Sequence, residues 1–187
     1  YAGQLLKVDL SSGRIEKLPL EETFARKHIG GLGFSAELFL ELVKSNPDFD
    51  AYDPQNPFIV MTGPLTGISM NGMARWTVCA RSPLTGYWGD ANIGGYFGAR
   101  LKCAGYDGII ITGASARPVY LYIKDDTVEI RDAGQYWGMD TYTVNDRLIA
   151  DLGGPGKKRG HALCIGPVLA AGWPAKKTPA FRRGPIK

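Results

Sequence analysis

The stretch from Gly63 to Asp107, GPLTGISMNGMARWTVCARSPLTGYWGDANIGGYFGARLKCAGYD, joins dense glycine to three arginines and holds neither histidine nor glutamate. Glycines let the main chain approach a bound group closely, and arginine presents a planar fork of donors matched to phosphate. The chemistry implied is the cradling of an anionic group. Proton transfer and nucleophilic attack are not implied, and no catalytic residue is assigned. Arg75 is the leading candidate, because its neighbours Gly72 and Ala74 are small and leave a guanidinium room to fork onto a phosphate. Asn92-Ile93-Gly94-Gly95-Tyr96-Phe97-Gly98 is the second. It reads as a glycine turn followed by Ala99 to Cys103 in helical register, which would aim main-chain amides at an anion. A tight turn that merely needs glycine is the competing reading, and the two are compatible.

Other reactive residue types form no constellation. Gly31-Leu32-Gly33-Phe34-Ser35-Ala36 fits the dinucleotide pattern G-x-G-x-x-[GA], but that fingerprint must follow a buried strand, and the preceding Leu20 to Ile29 is charged and helical. Gly30 to Gly33 is better read as a close-packed helix junction. His28 and His161 are far apart and have no partner at ligand spacing. Cys79, Cys103 and Cys164 lack the C-x2-C run of an iron-sulfur site and suggest no disulfide framework, so a reducing, cytoplasmic setting is expected. Trp76, Tyr87, Trp88, Tyr96, Phe97 and Tyr106 enrich the central stretch in aromatics, read mainly as core.

The elements that must position these residues follow from periodicity. Leu5 to Leu10 and Arg14 to Leu18 alternate around Ser11-Ser12-Gly13 and predict a hairpin. Pro19 to Ile29 predicts a helix ended by Gly30-Gly31, Phe34 to Val43 a second helix, and Phe58 to Met61 a strand running into Gly63-Pro64. Trp76 to Cys79 and Gly108 to Thr112 predict further strands. The order then recurs: a hairpin of Val119 to Ile123 with Val128 to Ile130, a helix from Thr141 to Leu152, and a strand from Ala162 to Ile165 running into Gly166-Pro167. The fold class expected is α+β, two similar β-sheet halves with a few helices.

The order G-P-L-T-G, a small-residue loop ending in Arg75, S-P-L-T-G, A-N-I-G-G-Y-F-G and K-C-A-G-Y-D resembles the N-terminal domain of the tungsten-pterin aldehyde:ferredoxin oxidoreductases, from about Gln4 to about Pro167. The resemblance implies a base domain on which two pterins hold one tungsten, with magnesium joining their phosphates. It implies that Arg75 binds a pterin phosphate, that the backbone carbonyl of Asn92 ligates the magnesium, and that Gly94, with Gly95 beside it, contacts the cofactor. The family oxidises aldehydes to carboxylates and passes electrons through a [4Fe-4S] cluster, held in later domains, to ferredoxin. A tungsten reductase of aromatic acyl thioesters has the same base-domain plan and is the alternative.

After Pro167 the pattern is lost, and the expected division is a domain at 1–167 and a divergent basic tail at 168–187. Beyond Asp151 there is no acid but eight bases, which leaves 14 bases against 18 acids in the rest of a chain whose net charge is +4. The tail reads as a solvated end. It has few aromatics to stack bases, which argues against nucleic acid. The resemblance assigns the loop after Gly63-Pro64 to one pterin and the loop after Gly166-Pro167 to the other; with the second altered, the chain by itself is expected to be inactive and to bind no bis-pterin. Its bared sheet would be covered by its own tail or by a second copy in a homodimer, and a non-catalytic binding or assembly module is the reading from another class. No apolar stretch approaches the roughly 18–20 residues of a membrane span.

Overall fold

The computed structural model describes residues 1–152 and 160–164. The chain divides into two units, Tyr1–Ala133 and Gly134 onward.

In the first unit, β1 (Gln4–Asp9) and β2 (Arg14–Pro19) form the expected hairpin, in register from Gln4↔Pro19 to Asp9↔Arg14. The helices α1 (Glu22–His28) and α2 (Leu32–Val43) follow, then β3 (Phe58–Thr62), β4 (Trp76–Arg81), β5 (Trp88–Ile93), α3 (Tyr96–Cys103) and β6 (Gly108–Thr112). These strands make one six-stranded sheet in the order β2-β1-β6-β3-β4-β5. β6 runs parallel to β1 and antiparallel to β3. β7 (Val119–Lys124) and β8 (Thr127–Asp132) pair separately as a two-stranded sheet.

The central strands read as unbroken apolar runs because both faces of the sheet are covered. Successive residues go to opposite sides. Leu5, Ile59, Met61 and Ile110 pack with Phe34, Phe39 and Val43 under α1 and α2. Leu6, Val8, Val60 and Ile109 pack with Trp76, Leu101 and Tyr106 on the other side, where Leu121, Ile123, Val128 and Ile130 of the β7–β8 hairpin cover them.

In the second unit, a short 3-10 turn at Gly134–Tyr136 precedes α4 (Thr141–Asp151). Asp140 caps α4 by accepting the Tyr142 and Thr143 amides. The Thr143 hydroxyl, followed by its amide, holds the Asp140 carboxyl below the usual carboxylate range. Tyr136 donates its hydroxyl to Asp151 Oδ2 at 2.6 Å.

The α+β class is the one found, with one large sheet, one small sheet and four α-helices among the described residues. Three details differ from expectation. The first helix begins at Glu22, because β2 extends through Pro19. The strand β5, WGDANI, was not foreseen: it lies at the sheet edge and lacks an alternating apolar face. In the second half of the expected repeat the hairpin and helix are present, but residues 162–164 are not strand. Ile165, the Gly166-Pro167 loop and the tail at 168–187 lie outside the described residues. Among the described residues no helix is long and apolar enough to cross a membrane.

Candidate functional site

Antiparallel register brings distant residues to one end of the sheet. Thr62 faces Trp76 across β3 and β4, and Thr77 faces Asn92 across β4 and β5. A cleft of about 170 Å³ opens there, lined by Gly30, Gly31, Leu32, Gly63, Pro64, Arg75, Trp76, Thr77 and Asn92. Arg75 and Asn92 meet directly, the guanidinium Nη1 donating to the Asn92 Oδ1 at 3.3 Å. Both side chains are exposed at the lip.

The loop from Gly63 to Arg75 is closed on itself. Thr66, 5% exposed, takes the Gly63 amide on its hydroxyl oxygen and donates the hydroxyl proton to the Arg75 carbonyl at 2.6 Å. Gly67 donates to the Met73 carbonyl at 3.0 Å. The Arg75 backbone is thereby tied to the start of the loop. In the second copy of Pro-Leu-Thr-Gly the same letters make a plain turn at the β4–β5 tip, where Gly86 donates to Ser82 and Leu84 is 93% exposed.

The opposite wall is the junction between α1 and α2. Gly31 donates to the Thr62 carbonyl at 2.9 Å, and a Cβ on Gly30 would lie 3.0 Å from the Thr62 oxygen and 3.1 Å from Gly63 Cα. A Cβ on Gly33 would fall 2.1 Å from the His28 oxygen. The G-x-G-x-x-A run is thus a packing junction that follows a helix, as the reading against a dinucleotide site required. At its start, Gly30 donates to the His28 carbonyl at 2.7 Å around Ile29, whose φ of 67° and ψ of −49° define a γ-turn. That conformation is strained for a β-branched residue. Tyr1 helps to hold it by donating its hydroxyl to the Ile29 carbonyl at 2.6 Å.

Of the four residues singled out from the sequence, Arg75 and Asn92 share the cleft, whereas Gly94 and Gly95 lie beyond it along the chain. Asn92 belongs to β5, so the glycine turn starts later than expected, at Gly94-Gly95 before α3. The Gly94 carbonyl accepts from Trp76 Nε1 at 3.1 Å. Gly95 has a φ of 89°, which calls for glycine. Gly94 has neither a positive φ nor any atom within 4 Å of where a Cβ would sit. The fold itself therefore gives no reason for glycine at 94. Leu32 of the Gly30 to Gly33 junction lines the cleft, and so does Thr77, which the sequence reading did not single out. Only Thr77's place in a strand beginning at Trp76 could have hinted at it.

Of the remaining candidates, Trp76 is a core residue that also lines the cleft. The others fall elsewhere: Tyr106 is core, and Tyr87 and Tyr96 are largely exposed. Trp88 packs edge-on to Phe39. His28 stacks at a tilt on Phe24. Burial pushes the Cys79 thiol up to about 12, which leaves it a core residue at neutral pH. Among the described residues no three His, Cys, Asp or Glu side chains gather as a metal site.

The chain matches the description of the aldehyde ferredoxin oxidoreductase N-terminal domain over residues 5–172. It is 48% identical over 167 residues to the tungsten-containing aldehyde ferredoxin oxidoreductase of Pyrococcus horikoshii, covering 89% of this chain and 27% of that protein. An aliphatic sulfonate oxidoreductase WOR-like subunit of Pyrococcus furiosus is 41% identical, over 81% of this chain and 24% of its own length. Among solved structures, the active site complex BamBC of benzoyl coenzyme A reductase with 1,5-dienoyl-CoA matches with a TM-score of 0.79 and 35% identity, over 82% of this chain and 23% of that one. The chain thus spans about a quarter of the length of these relatives.

Proposed function

The chain belongs to the aldehyde ferredoxin oxidoreductase family, whose N-terminal domain it carries, and from that premise we propose that its cleft cradles the phosphate end of a tungsten bis-pterin cofactor. The observation that carries the reading is the Arg75–Asn92 contact at the lip of a glycine-walled cleft. The donor set suits an anion. A guanidinium whose remaining donors have no partner among the described residues shares the cleft with the main chain of Gly30, Gly31 and Gly63, and the open space at Gly94 would let a bound group approach the backbone closely.

When bound, the metal-pterin unit supplies oxygen and electron transfer. The residues of this chain orient and neutralise. Arg75 would fork onto a phosphate and Asn92 would steady that fork through its amide oxygen. The Asn92 carbonyl would offer a hard oxygen ligand to a magnesium ion that would offset phosphate charge, and Gly94-Gly95 would leave the backbone open beside it. None of these groups moves a proton in the reaction. The complete protein would oxidise an aldehyde and deliver electrons through a [4Fe-4S] cluster to ferredoxin, in the cytoplasm. The structural likeness to the benzoyl coenzyme A reductase complex favours a second reading, reduction of an aromatic acyl thioester on the same base.

Elemental analysis of the purified protein, with intact mass and pterin fluorescence, tests the first step. Stoichiometric tungsten and pterin are expected in the protein that carries its remaining domains. A full-length form with neither would refute the cofactor reading. Turnover of aldehydes against aromatic acyl-CoA thioesters separates the two enzyme readings.

A further inference from the structure

We infer that Lys102, paired with the buried Asp107, is a positioning residue that fixes the Gly63-Pro64 floor of the cleft. What fills the cleft rests on the proposed function; the clamp itself does not.

Lys102 lies in the last turn of α3 and its side chain is 13% exposed, while Asp107 is fully buried. The ammonium donates to the Gly63 carbonyl and stands 3.5 Å from the Pro64 carbonyl oxygen. It lies 3.4 Å from Asp107 Oδ1, which has no other polar partner among the described residues. The other carboxylate oxygen takes the Gly3 amide at 2.7 Å. The Asp107 carbonyl takes both the amide and the hydroxyl of Thr62, at 2.9 and 2.8 Å. The Asp107 main chain therefore anchors the residue just before the loop, and the ammonium paired with its carboxylate reaches the loop itself.

Carbonyls turned inward at a loop need donors, and a proline loop is short of them because Pro64 has no N–H. A lysine buried to this depth is costly unless its charge and its protons are answered, and here a carboxylate and two carbonyls answer them. The floor so fixed has little freedom. Gly63 Cα and Pro64 Cδ both lie 3.1 Å from where a Gly30 Cβ would be, so a loop that lifts or sinks alters the wall opposite Arg75. The spacing K-x4-D in KCAGYD is long enough to close α3 and begin β6, which puts the ammonium and the carboxylate side by side.

The test is amide hydrogen exchange on the chain as it is, comparing Lys102→Met, Asp107→Asn and Lys102→Arg. In the first two, the Thr66 and Gly67 amides should exchange about tenfold faster, the effect of removing one charge-assisted hydrogen bond. The Ile59, Val60, Ile109 and Ile110 amides should keep their rates, and Lys102→Arg should recover part of the loop's protection. A uniform acceleration of strands and loop, or an unchanged loop, would overturn the inference. In tungsten-loaded protein, Lys102→Met should also lose tungsten on gel filtration while the strand amides stay protected, and full retention would count against it. If the unsubstituted protein with all its domains holds no tungsten, the proposed function fails, and the exchange rates alone decide the clamp.

Discussion

Arg75 gives one N–H to Asn92, and the rest of its donor fork has no partner among the described residues. Replacing it by alanine in the complete protein should weaken cofactor retention by about 1–3 kcal/mol, the cost of an unanswered charged acceptor. Arg75→Lys should restore only part, since an ammonium cannot fork. Tungsten and pterin content after gel filtration is the measurement, and unchanged content in Arg75→Ala would remove Arg75 from the site. Ile29 makes the opposite kind of contribution. The residue is 63% exposed, so little burial offsets the strain of its γ-turn. Ile29→Gly should stabilise the chain by about 1 kcal/mol. A thermal melt that shows a lower midpoint would mean the side chain is held by contacts the strain argument overlooks.

At the scale of elements, strands and helices were legible wherever burial writes a period into the sequence. β3 and β6 carry nearly unbroken apolar runs, β1 a mixed one around Leu5, Leu6 and Val8, and α2 places Phe39 and Val43 four apart on its buried face. β5 escaped because an edge strand of Gly, Asp and Asn has no buried face to advertise, and it was the strand that carries Asn92. The candidate site was half legible for the same reason. Glycine and arginine content flagged Arg75 and Asn92, but their meeting depends on cross-strand register, which single-residue patterns do not encode. Gly108 tests the packing of these strands. A Cβ there would fall 2.1 Å from Met61 Sδ and 2.7 Å from the Val60 carbonyl. Gly108→Ala should therefore lower stability by about 1–3 kcal/mol, as overpacking in a tight core does. Chemical denaturation would show it as a shifted midpoint with an unchanged slope, and an unshifted midpoint would mean that β3 and β6 separate more easily than the contacts imply.

At the scale of the whole molecule, the 187 residues by themselves should show no aldehyde-dependent reduction of viologen, because the residues lining the cleft include no carboxylate, histidine or cysteine to serve as acid, base or electron relay. Turnover comparable to a complete enzyme would show that such groups lie within this chain after all. The sheet order has a consequence for how the molecule is made. β6 is the last of the six strands to leave the ribosome, yet it lies between β1 and β3. Until Thr112 has emerged, the newborn chain holds an N-terminal hairpin and a three-stranded meander that cannot join, each with its most apolar strand unpaired along one edge. Such edges recruit other chains. The interval of translation between Ile93 and Thr112 is thus when this protein is most exposed to aggregation, and β6 closes it in the manner of a keystone set after both sides of the arch are standing.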